Sequence, residues 1–237
     1  MSTSSPELLQ PEEWPAGLRA ALAVLVDLDT TGEVPGSSSI LLDAGTDRLL
    51  AMLADLDITP TVVVDASQDL TVRLPEGVEV DPAVRLDAQV DLVDAMRACE
   101  RRLGRQPRGV ILEGAGQDGT TGGPDLWVAD GTIAPFPLRG SNDTVVIPLN
   151  PWWHDVTWLT PTHPSPPSSM LEHWSVSLGS IRTYGELMTL RLSAEIGGQP
   201  GHVETIQRFL DECIGAGDVW ITSFSGVAEL VRSSGNH

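Results

Sequence analysis

Residues Ala20 to Leu28 read Ala-Ala-Leu-Ala-Val-Leu-Val-Asp-Leu, an apolar run that is interrupted only by Asp27 and followed by Asp29. An apolar stretch of this length is typical of a strand that is buried on both faces of a parallel sheet. Residues two apart on a strand point to the same side, so both carboxylates are expected at the carboxyl end of the strand, in one pocket. This stretch predicts a parallel α/β fold and gives the first candidate site residues.

Strand-like and helix-like segments alternate along the rest of the chain. Period-3.6 apolar spacing predicts helices, and short apolar runs between turn signals predict strands. The predicted helices cover residues 44–57, 86–103, 170–187 and 203–214, and the predicted strands cover residues 59–64, 77–80, 109–112, 188–193 and 219–222. Short connections between alternating strands and helices indicate a parallel α/β architecture rather than a sandwich or a bundle.

The length of 237 residues fits a single domain with one sizeable core. Residues 1–13 are expected to form a flexible tail, and residues 149–170, rich in Trp and Pro, a lid. The amino terminus has neither the basic start nor the apolar run of a secretory signal, so a cytoplasmic location is expected.

Charge narrows the range of partners. The net charge is −19, which repels nucleic acid and anionic lipid, so neither nucleic acid nor a membrane is expected as a partner. All 14 basic residues are arginines, which excludes Schiff-base chemistry on a lysine. A small molecule remains the expected substrate or ligand.

Four stretches of the chain resemble one family. They are Trp14-Pro-Ala-Gly, Val26-Asp-Leu-Asp, Gly197-Gly-Gln-Pro-Gly-His and Gly217-Asp-Val-Trp. In order and spacing they are similar to the polysaccharide deacetylase family, in its allantoinase-like and peptidoglycan-deacetylase-like branch. The resemblance extends from Pro11 to Arg232. It implies a distorted or incomplete (β/α) TIM-like barrel, and a homo-oligomer, because that branch commonly forms symmetric assemblies.

The resemblance also implies roles for the two aspartates. Asp27 matches the family's general base, and Asp29 matches the aspartate that binds a divalent metal together with two histidines. Those histidines should fall within residues 77–89, which contain none. An all-oxygen shell of Asp29, Glu79 and Asp81 is the remaining alternative for a hard cation. We expect no metal and no cofactor.

Two further family motifs are altered. The family's arginine would align near Ile111, and its late histidine, the general acid, would align at Ser193-Ala194. Ordinary deacetylation needs a metal that polarises the carbonyl group and an acid that protonates the leaving nitrogen, and the chain lacks the residues for both. Asp27 and Asp29 remain as candidate catalytic acid/base residues, and two carboxylates that close would split their pKa values.

The expected substrate-binding residues surround the same end of the barrel. Indole rings between prolines suit the wall of a pocket for an apolar ligand or for a stacked sugar ring, and acidic residues border its mouth. His154, beside Asp155, is either a packed wall residue, which we prefer, or an acid/base group. The candidates for substrate binding are Glu33, Glu113, Trp152, Trp153, His154, Trp158 and Ser193.

These features favour a repurposed enzyme that works without a metal on a small, largely apolar biosynthetic intermediate. Proton transfer by the aspartate pair and enclosure of the substrate would promote cyclisation, elimination or isomerisation. Two alternatives stay open. One is a divergent metal-dependent hydrolase of amide or N-acetyl groups, and the other is a non-catalytic homologue that binds a ligand or a partner.

Overall fold

A computed structural model describes residues 7–10, 14–29, 39–68, 74–86, 90–112, 125–160 and 164–234. The strands are β1 (Glu7–Leu8), β2 (Ala20–Asp27), β3 (Thr61–Asp65), β4 (Asp81–Leu86), β5 (Gly109–Leu112), β6 (Trp127–Asp130), β7 (Leu138–Arg139), β8 (Val145–Pro148), β9 (Leu187–Ser193) and β10 (Val219–Thr222). The helices are α1 (Ser39–Asp55), α2 (Leu92–Leu103), α3 (Val156–Leu159), α4 (Pro167–Tyr184), α5 (Pro200–Ala216) and α6 (Phe224–Ser234).

Strand β2, the apolar run that opens the sequence, lies at the centre of a single sheet. Strand β9 pairs with β2 along one edge, from Ala21 to Asp27. On the other edge, β10 pairs with the first half of β2 and β3 with the second half. The sheet continues in parallel through β4, β5, β6 and β8, and the short strands β7 and β1 extend it antiparallel. Glu7 and Leu8, inside the expected flexible tail, are thus paired with β7.

The sheet curls into a barrel that does not close. Among the described residues, no ladder joins β8 to β9. The contacts that cross this seam include a hydrogen bond from the Thr189 hydroxyl to the Pro148 carbonyl at 2.8 Å and one from the Asp155 amide to the Arg191 carbonyl at 3.2 Å. The prediction of a distorted or incomplete barrel is confirmed.

Successive side chains of each strand point to opposite faces of the sheet, and this divides the core into two parts. On β2, Leu22, Val24 and Val26 pack outward against the helices, whereas Ala21, Ala23 and Leu25 face the barrel interior. The interior cluster includes Val63, Ala83, Ile111, Ala129 and Ile147, one from each of five further strands. Asp27 continues the inward series of β2, so its carboxylate lies inside the barrel at the carboxyl end.

A polar network fastens helix α6 to the other end of the barrel. The Asp81 carboxylate accepts hydrogen bonds from the Thr61 hydroxyl at 3.0 Å, the Ser225 hydroxyl at 2.7 Å and the Ser225 amide at 3.1 Å. The Trp127 indole donates to the Ser225 hydroxyl at 2.9 Å. Because Asp81 caps the start of α6, this helix covers the amino ends of the strands and leaves the carboxyl ends for a site.

The predicted elements agree with the structure at β2, β5, β9 and β10 and differ at β4. We predicted a strand over residues 77–80, but β4 runs from Asp81 to Leu86 and α2 begins only at Leu92. The inward side of β4 carries Asp81 and Arg85, which interrupt the apolar pattern. Strands β6 and β8 were not predicted from the sequence at all.

Candidate functional site

A cavity of about 270 Å³ lies at the carboxyl ends of β5, β6, β8 and β9. Its wall combines side chains of β5 and β9 with the residues that follow β6 and β8. The lining residues are Leu112, Gly131, Leu149, Asn150, Pro151, His154, Thr189 and Arg191. Carboxyl ends of barrel strands are where α/β barrels place their sites, so this cavity is the candidate active site.

Asp27 is the centre of an ion cluster beside the cavity. It is 3% exposed and forms ion pairs with Arg85 of β4 and with Nε of Arg191 of β9, the latter at 2.6 Å. Burial would raise the pKa of Asp27, but the positive charges of Arg191 and Arg85 outweigh burial and hold the pKa below its ordinary value. Asp27 is therefore ionised, and it orients an arginine that reaches the cavity.

Asp29 forms an ion pair with a different arginine. Its Oδ1 accepts a hydrogen bond from Nη2 of Arg102 in helix α2 at 2.8 Å, and its other oxygen accepts the amide of Asp65. Arg102 also donates to the Asp65 carbonyl at 2.8 Å, which fixes the guanidinium. Burial raises the pKa of Asp29 to about 6, although Arg102 opposes the rise. Asp27 and Asp29 therefore serve two separate arginine-bound sites, not one shared proton site.

His154 is placed beside Arg191 by a short turn. Asn150 accepts the Trp152 amide at 3.1 Å and starts a 3₁₀ turn over Pro151–Trp153. His154 then forms a parallel bridge with Arg191 across the barrel seam. The two side chains are thus neighbours on the cavity wall.

The imidazole of His154 is neutral. Burial, followed by the positive charge of Arg191, lowers the pKa of His154 to about 3. Its Nε2 lies 3.9 Å from Oδ2 of Asp27 and 3.6 Å from Oδ1 of Asp155. This Nε2 is enclosed and has no hydrogen-bond partner among the described residues. His154 was expected mainly as a wall residue; it is one, and it also carries an acid/base group.

Asp155 holds the end of β9 in place. It is fully buried, and its two oxygens each lie 3.0 Å from the Ser193 amide, which donates to them. Burial raises the pKa of Asp155 to about 8, so this carboxyl carries a proton at neutral pH. A Cβ on Gly197 would lie 2.2 Å from Oδ2 of Asp155, so only glycine fits at that turn. Asp155 fixes the strand that carries Arg191.

Ser193 was expected to contact substrate, and the structure places it elsewhere. It is fully buried at the end of β9 and is not among the cavity-lining residues. Its hydroxyl accepts the Ile196 amide at 3.3 Å, and its own amide is bound by Asp155. These contacts stabilise the turn that follows β9. Glu33 and Glu113, the expected acidic residues at the mouth, lie outside the described residues.

The tryptophans do not form the cavity wall as expected. The rings of Trp152 and Trp158 pack against each other and against His173, at 6.3 Å and 5.0 Å from it between centroids. Trp158 and Trp174 both donate to the Trp152 carbonyl, at 3.0 and 3.1 Å. Trp152, Trp153 and Trp158 are all absent from the lining, and Leu112, Leu149 and Pro151 supply its apolar part. The tryptophans instead brace the turn that carries His154.

The site does not fit a divalent metal. Within the part of the chain that the structure describes, no group of three His, Cys, Asp or Glu side chains is arranged to hold one. Arginines are bound to both Asp27 and Asp29, where a metal would need carboxylate ligands. The all-oxygen alternative of Asp29, Glu79 and Asp81 is wrong. Asp29 bonds Asp65, the last residue of β3, whereas Asp81 pairs with Thr61, the first residue. Thr61 and Asp65 are four residues apart, which is about 13 Å along a strand.

The sequence reasoning missed the arginines that surround the aspartates. We expected Asp27 to lack the family's arginine because Ile111 stands at that place, yet Arg85 and Arg191 bind it from β4 and β9. The sequence feature that could have revealed these arginines is a single arginine within each of two mainly apolar strands, Asp81–Leu86 and Leu187–Ser193. A charge at an inward position of a buried strand needs a partner, and Asp27 is that partner.

An open (β/α) barrel with an aspartate at the end of its central strand and a cavity at the carboxyl ends is a fold of the polysaccharide deacetylase type. Known structures agree. A protein assigned as a polysaccharide deacetylase from Mycobacterium smegmatis is 20% identical, with a TM-score of 0.77 over 98% of this chain and 96% of the other. PuuE allantoinase is 17% identical, with a TM-score of 0.79 over 99% and 96%.

A third structure, assigned as a polysaccharide deacetylase from Pseudomonas aeruginosa PAO1, is 14% identical, with a TM-score of 0.70 over 93% of each chain. At these identities the likeness establishes the fold, which is polysaccharide deacetylase-like, as the resemblance implied. No family model and no curated protein sequence matches the chain.

Among the described residues, no helix combines the length and the hydropathy needed to cross a bilayer.

Proposed function

We propose that the chain is a metal-independent enzyme that moves protons on a small, largely apolar biosynthetic intermediate and so promotes cyclisation, elimination or isomerisation. The observation that carries the proposal is the pairing of His154 and Arg191 on the wall of an otherwise mainly apolar cavity, with both side chains close to the ionised Asp27. This arrangement provides an acid/base group and a fixed positive charge without a metal ligand set.

The proposal changes the roles of the two aspartates. Asp27 and Asp29 were predicted as the catalytic pair, but neither lines the cavity. Asp27 acts by positioning Arg191 and by favouring the protonated form of His154 as a nearby negative charge. Asp29 binds Arg102 and the Asp65 amide, and these bonds hold the carboxyl ends of β2 and β3 together. His154 is the group that exchanges a proton with a bound molecule.

Enclosure supports the same chemistry. Leu112, Leu149 and Pro151 make one side of the cavity apolar, and beside an apolar wall a fixed charge acts more strongly on a reacting group than it does in water. Holding one reactive conformer of a flexible substrate removes part of the entropic barrier to cyclisation. Both effects suit an apolar intermediate.

A second candidate is a hydrolase of C–N bonds. The folds of two assigned polysaccharide deacetylases and of an allantoinase favour it, as does the retention of an ionised aspartate with arginine partners at the end of β2. Hydrolysis by this chain would require water at the cavity and Asp27 as its base. The buried position of Asp27, 3% exposed, makes this the weaker candidate.

The test uses metabolite extract from a source-organism strain that lacks the gene. Purified full-length protein is treated with a chelator, its metal content is measured, and it is incubated with the extract. We expect a metabolite to be converted with no mass change or with loss of one water, and we expect His154→Gln to abolish the conversion. Arg97→Gln, on the exposed face of helix α2, is the control. Loss of an acetyl group or uptake of water would identify the hydrolase, and no conversion would indicate a binding protein.

A further inference from the structure

We propose that the cavity takes a small carbonyl compound with a removable hydrogen on the carbon next to the carbonyl group, with Arg191 holding the carbonyl oxygen and His154 carrying the proton. This inference rests on the proposed function and names its substrate class. It follows from what Arg191, His154 and Thr189 on the cavity wall can donate or accept.

Arg191 is suited to an oxygen that gains negative charge. A guanidinium cannot lose its proton in a protein and presents N–H donors in a fixed plane. The 2.6 Å bond from its Nε to Asp27 and its position within β9 fix that plane against the cavity. A donor that is fixed before the reaction stabilises a developing oxyanion without reorganising. Arg191 thereby performs the polarising task for which a metal is otherwise used.

His154 is suited to the proton. It lies next to Arg191, and its side chain is 16% exposed although Nε2 is enclosed, so the Nδ1 edge is the part that faces the cavity. A neutral imidazole can accept a proton at Nδ1. Burial and Arg191 oppose the imidazolium that results, as the pKa of about 3 shows, and the ionised Asp27, 3.9 Å from Nε2, offsets part of that opposition.

The reaction step balances without any co-reactant. The C–H bond next to the carbonyl breaks, its proton joins Nδ1 of His154, and its electron pair forms a C=C bond. The carbonyl π electrons move to the oxygen, which becomes an enolate held by Arg191. When a C=C bond adjoins the enolate, return of the proton to the γ carbon gives an isomer. When the enolate carbon attacks a second carbonyl carbon of the same molecule, a ring closes and the oxygen of that carbonyl takes the proton from His154. When a leaving group on the neighbouring carbon departs with its bonding electron pair, the leaving group takes the proton and elimination is complete.

The apolar part of the wall limits the remainder of the substrate. Leu112, Leu149 and Pro151 provide no charge, and Thr189 uses its hydroxyl proton on the Pro148 carbonyl. A hydrocarbon-rich ketone therefore matches the wall better than a sugar, whose hydroxyls would each need a partner. The cavity volume of about 270 Å³ suits a ligand of one or two rings.

The first test uses 4-nitrophenol as a mimic of the enolate. Its neutral and ionised forms absorb at different wavelengths, so the pKa of the bound phenol can be read directly. A positive charge near the oxygen should lower that pKa by about one unit or more. Arg191→Gln should remove the shift, and Arg97→Gln, on the exposed face of α2, should keep it. A bound phenol whose pKa is unchanged or raised in the wild type would overturn the inference.

The second test follows hydrogen–deuterium exchange next to the carbonyl of 2-tetralone in D₂O by NMR, with chelator-treated wild-type protein. We expect exchange above the buffer rate, and a loss of about 100-fold in the excess rate for His154→Gln. Arg97→Gln, on the exposed face of α2, should retain the wild-type rate. An excess rate that His154→Gln leaves intact, or no excess rate at all, contradicts the role given to His154.

The two proposals can fail separately. If a metabolite is converted in a His154-dependent way but neither the phenol shift nor the exchange is seen, the carbonyl class is wrong and the proposed function stands. If no metabolite is converted in a His154-dependent way, the proposed function fails whatever the probes show.

Discussion

At the residue scale, Asp155 makes stability depend on pH. Its pKa is about 8 in the folded protein and near the ordinary value of 3.8 in the unfolded chain. Between these values the folded state holds a proton that the unfolded state has released, so the free energy of unfolding falls as pH rises. Above pH 6.5 the contributions of Asp29, whose pKa is about 6, and of His154, whose pKa of about 3 lies below its ordinary 6.5, are small and opposite in sign.

Asp155→Asn should remove that dependence. Between pH 6.5 and 8 we expect the wild type to lose on the order of 1 kcal/mol of unfolding free energy, measured by urea denaturation at several pH values. The asparagine oxygen still accepts the Ser193 amide, so the variant should fold and give a flat profile in the same range. A variant that keeps the slope of the wild type would show that Asp155 is ionised already.

Arg102 neutralises a buried charge, and its removal should be costly. Arg102→Met leaves Asp29 buried without its cation, and we expect a loss of about 3 kcal/mol of unfolding free energy. The double variant Asp29→Asn/Arg102→Met should recover most of this loss, because no charge is then left unpaired. Arg101→Met, at the exposed neighbouring position, should change stability little. Equal losses for the single and double variants would contradict the pairing.

At the element scale, the start of α6 depends on one carboxylate at the far end of the barrel. Asp81→Ala leaves the Ser225 amide and two hydroxyls without their acceptor, and we expect a loss of about 2–4 kcal/mol in urea denaturation. Amide exchange should rise first in α6. Asp94→Ala, at an exposed position of α2, is the control. Unchanged exchange in α6 would show that Asp81 does not hold this helix.

The mainly apolar strands β2, β5, β9 and β10 could be predicted from the sequence, and β4, whose inward side carries two charged residues, could not. β2, β5 and β10 are short apolar runs between turn signals, and their positions follow from the sequence. β4 has Asp81 and Arg85 on its inward side, so its apolar pattern is broken by the groups that bind α6 and Asp27. Whether such a segment forms a strand depends on tertiary contacts, which the local sequence pattern does not show.

The candidate site was predictable in part for the same reason. Asp27 and Asp29 stand out at the end of an apolar strand, and His154 stands out among tryptophans. The arginines that bind the aspartates come from distant segments, at sequence separations of 58, 164 and 73 residues. No local spacing connects such residues, so the ion cluster could be recognised only after folding.

At the scale of the whole molecule, the net charge of −19 opposes compactness. Salt screens repulsion between exposed charges but acts weakly on buried pairs such as Asp27 with Arg191. We therefore expect the melting temperature to rise by a few degrees between 0.05 and 0.5 M NaCl, as measured by calorimetry. A melting temperature that falls over this range would mean that exposed ion pairs, rather than repulsion, dominate.

The central claim is that the chain works without a metal through His154 and Arg191, and one measurement tests it most directly. The rate of metabolite conversion is compared before and after complete metal removal, with metal content measured on the same samples. The proposal predicts an unchanged rate in the metal-free wild type and no conversion by His154→Gln. Loss of conversion on metal removal, with recovery on addition of Zn²⁺, would contradict it.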